Sequence, residues 1–462
     1  MSNLTLSIQP FQLMLDTNNV FINNEKIINL IGGDRILLTG NNGSGKSHLL
    51  QIIKGIIPQL ITPYFLTDGC ILYQQKQITD LTLAEARTII YLGSNPRTGF
   101  VFDQVLSDLK LSYYGLTHPH HVFIKSVTAI AEQLQMQHLL NSKISNLSQG
   151  QQQLIHIIKI LLQQPLILLL DEITNCLDDN NSKLVIDCIH KYLPNSIIIT
   201  VDHNPQHITQ FINKQLVIKN GQLLSDNNNT LTPVNNNYQF EQSPHYSQQQ
   251  HKTENILELK QVNFSWNQHH HIFKELNLKI NSGQVINIYG NNGSGKSILL
   301  QLITKQILPK SGSILISGQL LQKLKKSKIY KKISILFTHS SLHFFELTVE
   351  KEIINISKST KQILTDINLL DKKELHFNAL SQGEQKRLAL TIVLYSDTDI
   401  LLLDDPFLGQ DVNNREKLEK MITDINKTTN KTIIIISSKL SMLSKNSDIT
   451  YKIENYDLIP KH

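Results

Sequence analysis

Eight residues with the chemistry of a phosphate cradle occur twice in this chain, letter for letter. They are Gly40, Asn41, Asn42, Gly43, Ser44, Gly45, Lys46 and Ser47, and then Gly290, Asn291, Asn292, Gly293, Ser294, Gly295, Lys296 and Ser297, 250 residues further on. Glycines let backbone N–H groups close around phosphate oxygens, and a helix N-terminus adds its dipole. The lysine meets the β- and γ-phosphates, and the final serine reaches Mg2+. Such a loop needs a strand before it and a helix after it. Both copies have that context: apolar runs 35–39 and 284–289 precede them, and helix-spaced apolar runs 48–53 and 298–303 follow. One copy could be a chance glycine-rich turn; two identical copies imply nucleoside triphosphate binding in each half.

A second motif follows each loop, Leu147-Ser148-Gln149-Gly150-Gln151 and Leu380-Ser381-Gln382-Gly383-Glu384. Its serine stands 23 residues before an aspartate that ends an apolar run, Ser148 before Asp171 and Ser381 before Asp404. By itself the motif also fits an ordinary helix N-terminus capped by serine.

The elements that must carry these residues are legible as well. Apolar runs 166–170, 196–200, 400–403 and 432–436 read as strands buried on both faces, with helical patterns between them, so a mostly parallel sheet follows in each half. We place the first domain at 1–226 and the second at 254–462. The stretch 227–253, rich in Asn, Gln and Ser with Pro233 and Pro244, reads as a flexible polar linker. A chain that is 40% hydrophobic and 18% charged can bury a full core in each half. No apolar run approaches the ~18–20 residues that span a bilayer. The opening Met1-Ser2-Asn3-Leu4-Thr5 lacks the basic start and apolar core of a signal peptide. Cys70, Cys176 and Cys188 form neither a metal spacing nor a disulfide framework, which fits a reducing compartment. The net charge of +6 is mostly dispersed; the one basic run, Lys323 to Lys332, reads as a wet surface rather than a nucleic-acid site. His269-His270-His271 cannot share one face of a strand, so it is not read as a metal site.

Phosphate loop, LSxGQ/E motif and acidic strand end, in that order and twice, resemble the Walker A, signature and Walker B motifs of ABC ATPases. The resemblance covers nearly the whole chain apart from the linker. It implies an α/β fold with two P-loop NTPase domains of ABC type, each a mostly parallel sheet with helices plus a helical signature subdomain. It implies ATP and Mg2+ as cofactors: Lys46 and Lys296 on the β- and γ-phosphates, Ser47, Ser297, Asp171 and Asp404 around the metal. Glu172 resembles the catalytic carboxylate that polarises the attacking water, and His203 the switch histidine on the γ-phosphate. Trp266 resembles the aromatic that stacks on adenine; the first half has Asp16 at that spacing. In the family two units pair head to tail, so Ser381 and Gly383 would close the first phosphate loop, and Ser148 and Gly150 the second.

The second half departs from this pattern. Asp405 stands where the catalytic Glu is expected, one methylene shorter. Ser438 stands near the place of the switch histidine, although counting from the strand start would select Lys439. Ser94 and Thr338 occupy the loop position that usually holds a Gln. The expected outcome is one competent and one degenerate ATP site. Tandem units with a short polar linker look like the ATPases of energy-coupling-factor uptake systems. That resemblance implies a cytoplasmic subunit, peripheral on the inner membrane face, with separate transmembrane partners and no nucleic acid. The alternative is a soluble tandem ABC protein acting as a regulatory, molybdenum-transport-type or translation-associated factor; Ser340-Ser341-Leu342-His343 is similar to the molybdenum-transport-type group.

Overall fold

The computed structural model describes residues 4–16, 19–40, 43–57, 65–66, 71–93, 99–113, 120–174, 177–202, 208–226, 254–265, 271–291, 293–338, 340–357, 359–410, 412–438 and 447–461. They fall into two units, Met1–Gln239 and Phe240–His462. The linker expected at 227–253 lies outside the described residues.

In the first unit the strands Ile89–Leu92, Ile167–Asp171, Ile197–Val201, Arg35–Gly40 and Lys214–Lys219 lie side by side in that order, all parallel; Gln222–Asp226 joins them antiparallel, and the sheet continues through Asn19–Asn24, Phe11–Asp16 and Phe65–Leu66. The second unit repeats the order with Ile333–Leu336, Ile400–Asp404, Thr432–Ser437, Val285–Tyr289 and Ile449–Glu454, then antiparallel Asp457–Lys461. The period of two along each buried strand explains the layering. Leu168 and Leu170 join the core that holds the helix Gln149–Gln163, whereas Ile167 and Leu169 join the core that holds the helix Lys46–Lys54. In the second unit Leu401 and Leu403 face the helix Gln382–Leu394, and Ile400 and Leu402 face Lys296–Ile303. A strand apolar on both faces can only be central, which is why these runs carry no polar alternation.

An antiparallel sheet flanks each core. In the second unit its long strands, Asn255–Ser265 and His271–Asn281, run for eleven residues each. In the first unit the corresponding strand is split into Thr5–Ile8 and Phe11–Asp16. Pro10 lies at the break, where it removes a ladder N–H. Helices Val105–Tyr113 and His120–Gln133 of the first unit, and Val349–Ile354 and Thr360–Asp366 of the second, pack with the signature helices into the helical layer.

This architecture sets the site. The phosphate loop leaves the C-terminal end of one strand, and the acidic residue ends a second strand with one strand between them, the position at which parallel sheets bind ligands.

Candidate nucleotide sites

Each phosphate loop turns into its helix through a left-handed glycine. Gly45 (φ 99°) and Gly295 (φ 106°) are the N-caps, and a Cβ there would lie 2.6 Å from Ile22 Cδ1 and 2.7 Å from Ile272 Cγ2. Only glycine tolerates both the backbone angle and the contact. Lys46 Nζ donates to Gly40 O at 2.8 Å, and Lys296 Nζ to Gly290 O at 2.6 Å and Asn291 O at 2.9 Å, so each ammonium spans its loop. The Ser44 and Ser294 hydroxyls are buried without a hydrogen-bond partner, a costly arrangement that a phosphate oxygen would relieve. Gly43 and Gly293 are also left-handed, which opens the loop backbone. Asn41, Asn42 and Asn292 lie outside the described residues.

The two acidic strand ends share backbone and differ in surroundings. Asp171 is buried, accepts a 2.9 Å hydrogen bond from the Tyr91 hydroxyl on Oδ2, and keeps Oδ1 without a partner. Burial pushes its pKa up, offset in part by hydrogen bonding to Ser47. A buried carboxylate oxygen beside the loop serine is a donor set of hard oxygens, which fits Mg2+ with its remaining waters and phosphates. Asp404 Oδ2 accepts the Thr338 hydroxyl at 2.5 Å. Its pKa is also raised, by burial first and by the neighbouring charge of Asp405 second.

Glu172 and Asp405 both adopt left-handed backbone, φ 55° and 44°, and each N–H donates across the sheet, to Val201 O at 2.9 Å and Ile436 O at 2.8 Å. The same register pairs Asp171 with Val201 and Asp404 with Ile436. His203 and Ser438 therefore stand at the same chain distance, two residues past the paired one. Ser438 N–H donates to Asp405 Oδ1 at 3.0 Å, so the shorter carboxylate is turned onto the backbone that follows the adjacent strand. His203, Trp266 and Ser94 lie outside the described residues.

The signature serines are helix caps. Ser148 and Ser381 accept from Gln151 N and Glu384 N at 3.3 Å, and those side chains return to the serine N–H at 2.9 Å. Gly150 and Gly383 follow in the first turn; a Cβ on Gly383 would lie 2.7 Å from Gly409 O. Capping and nucleotide contact are thus compatible readings of one motif.

Several neighbours escaped the sequence reading. Tyr91 on Asp171 has no motif to announce it. Lys386 was visible only as part of the signature run; it is buried, and burial draws its pKa down against the opposing pull of Asp404 and Asp405. Two buried carboxylates under the loops after the first core strand were also missed. Asp108 Oδ1 accepts Val101 N–H at 2.7 Å and Phe102 N–H at 3.2 Å, and Glu352 Oε1 accepts Phe345 N–H at 2.6 Å and Glu346 N–H at 2.7 Å.

Two strand–P-loop–helix sites, each with an acidic strand end and a capped signature helix, define a tandem P-loop nucleoside triphosphatase. A family model described as ABC transporter matches residues 28–175 and 273–408. The chain belongs to this family of ATP-binding proteins, with two ATP-binding domains in tandem. A Bacillus subtilis ATP-binding protein named for HMP/thiamine import is 25% identical over 90% of this chain and 84% of its own length. A Sulfurisphaera tokodaii protein named for ABC transporter ATP binding is 26% identical over 93% of this chain and 92% of its own. Among solved structures, an archaeal ribosome recycling factor, determined with a ribosomal stalk protein, matches at TM-score 0.60 and 18% identity, covering 96% of this chain and 87% of its own. An RNase-L inhibitor matches at TM-score 0.58 and 19% identity, covering 93% and 86%. These two likenesses show the fold alone.

Proposed function

We propose that the chain is the ATP-hydrolysing subunit of a membrane transporter whose membrane-spanning parts are separate chains. No helix among the described residues is long and apolar enough to cross a membrane, so a membrane role needs a partner. The observation that carries the reading is a pair of rigid apolar loops, one in each half. Val101 is 68% exposed beside half-exposed Phe102, and Phe345 is 88% and Leu347 70% exposed. Large apolar side chains held in water by a fixed backbone mark a docking surface. The buried carboxylates of Asp108 and Glu352 fix these loops, with Lys159 Nζ adding a 2.9 Å ion pair to Asp108. Each loop follows the strand next to the metal carboxylate, so a partner seated there would be linked to the nucleotide. The relative named for import supports the same direction.

In this reading ATP with Mg2+ occupies both loops, and the halves pair. Lys46, Ser47, Asp171, Glu172 and His203 form the working site, closed by Ser381 and Gly383. Lys296, Ser297, Asp404 and Trp266 bind at the other, closed by Ser148 and Gly150, while Asp405 and Ser438 offer only a shorter carboxylate and no imidazole, so hydrolysis there is slow. The protein would lie on the cytoplasmic membrane face. A second reading, a soluble tandem ATPase with a regulatory or translation-associated role, is favoured by one observation. Thr338, at the usual Gln position, bonds inward to Asp404 rather than outward.

Fractionation of the native cell separates the two. We expect the chain in the membrane fraction, co-purifying from detergent extract with a multi-span protein. Phe345→Asp should release it while leaving nucleotide binding intact. Recovery wholly in the soluble or ribosomal fraction would favour the second reading.

A further inference from the structure

Lys386 joins three elements of the second half. Five residues after Ser381, it is 2% exposed, and its Nζ donates to Asp404 O at 2.9 Å, Phe337 O at 3.1 Å and, at the edge of bonding distance, Thr338 O at 3.5 Å. The loop it grips is held at other points as well. Phe337 N–H donates to His343 Nε2 at 3.0 Å, and burial keeps that imidazole in its neutral, accepting form. The Thr338 hydroxyl sits on Asp404 Oδ2. A buried ammonium is costly unless it is satisfied; here backbone carbonyls receive it, and the charges of Asp404 and Asp405 favour its protonated form. Five residues after Ser148 the first half has Gln153, 1% exposed, with neither amide oxygen nor amide nitrogen partnered. The same helical position is therefore a tie in one half and no tie in the other.

We propose that Lys386 is a positioning residue for the metal carboxylate of the second site. It holds Phe337–Thr338 against the strand end, so that the Thr338 hydroxyl takes Oδ2 of Asp404 and fixes the carboxylate in one orientation toward the cation. This rests on the reading of Lys296, Ser297 and Asp404 as an Mg-ATP site. Partners that orient a metal ligand typically contribute ~10–100-fold in metal affinity. The tie would make the second site a holding site, in which the carboxylate is set before nucleotide arrives and no loop rearrangement is needed.

The test uses the full chain carrying Lys46→Ala, so that only the second site binds. ATP is titrated by calorimetry once with Mg2+ and once with EDTA. Lys386→Gln, which installs the residue of the first half, should weaken Mg-ATP binding ~10–100-fold and leave metal-free ATP binding unchanged. Thr338→Val exchanges the hydroxyl for a methyl group of similar size, and should give the same split; it carries the test if Lys386→Gln fails to fold. Because both act through one carboxylate, the double variant should lose no more than the worse single one. Equal losses with and without Mg2+ would reduce Lys386 to a packing role, and no loss in either would also overturn the proposal. Lys296→Ala is the control: if it leaves binding intact in this background, the site assignment itself falls, independently of Lys386.

Discussion

The two halves have the same phosphate loop to the residue and the same order of parallel core strands, yet they surround the acidic strand end differently. Asp171 is met by a tyrosine hydroxyl, and Asp404 by a threonine hydroxyl with a buried lysine beneath it. The next residue tells more. Glu172 and Asp405 share left-handed backbone and the same cross-sheet N–H bond, so the scaffold aims both side chains alike. Divergence lies in one methylene: Asp405 is the shorter side chain, and its Oδ1 accepts from Ser438 N–H. In the proposed reading, binding would rest on backbone geometry, which the repeat preserves, and hydrolysis on side-chain reach, which a single substitution would remove.

The largest expected effect follows directly. Removing a general base typically costs ~10²–10⁴-fold in rate. Glu172→Gln should abolish nearly all steady-state phosphate release, whereas Asp405→Asn should leave most of it. Equal losses in a phosphate-release assay would mean that the halves share the chemistry and the contrast is superficial.

A sharper version tries to convert one half into the other. Asp405→Glu alone should raise turnover little, because the second site still lacks an imidazole two residues past Ile436. Asp405→Glu with Ser438→His, measured in a Glu172→Gln background, should restore turnover by at least ~10-fold over that background, a fraction of what one general base supplies. If the single substitution restores as much as the pair, side-chain length is the whole difference and the histidine is dispensable.

What was legible in the sequence follows the same division. The phosphate loops announce themselves because glycine is forced at Gly45 and Gly295 by φ and by Ile22 and Ile272 at van der Waals limits. Core strands were legible because runs such as 166–170 and 432–436 have no polar alternation, and the ends differ from expectation by a residue, with Asp171 and Ser437 inside the ladder. Counting from the strand start selects Lys439, since Ile433 to Ile436 look alike, whereas the pairing of Asp404 with Ile436 puts Ser438 at the chain distance that His203 has from Val201. Lys386 was illegible because a lysine in a signature helix carries no mark of its burial. Its contacts exist only once the strand end and the loop at Phe337 converge on it. Asp108 and Glu352 are similar: each is an ordinary acidic residue near a helix start until the chain folds two N–H groups onto it.

The smallest expected effect separates the two roles of the signature serines. Ser148 and Ser381 make the same capping box, with matching distances of 3.3 Å and 2.9 Å, so the structural cost of losing either should match. Replacing a capping serine by alanine costs ~1 kcal/mol. Ser148→Ala and Ser381→Ala should therefore lower the denaturation midpoint of their own halves by similar, small amounts. Function should not follow that symmetry. If Ser381 closes the working site and Ser148 the holding site, Ser381→Ala should reduce phosphate release several-fold while Ser148→Ala leaves it near normal. Urea titration beside the phosphate assay reads both quantities on the same two proteins. Matching losses in both would assign the motif to capping alone, and a loss confined to Ser148→Ala would reverse which half does the work.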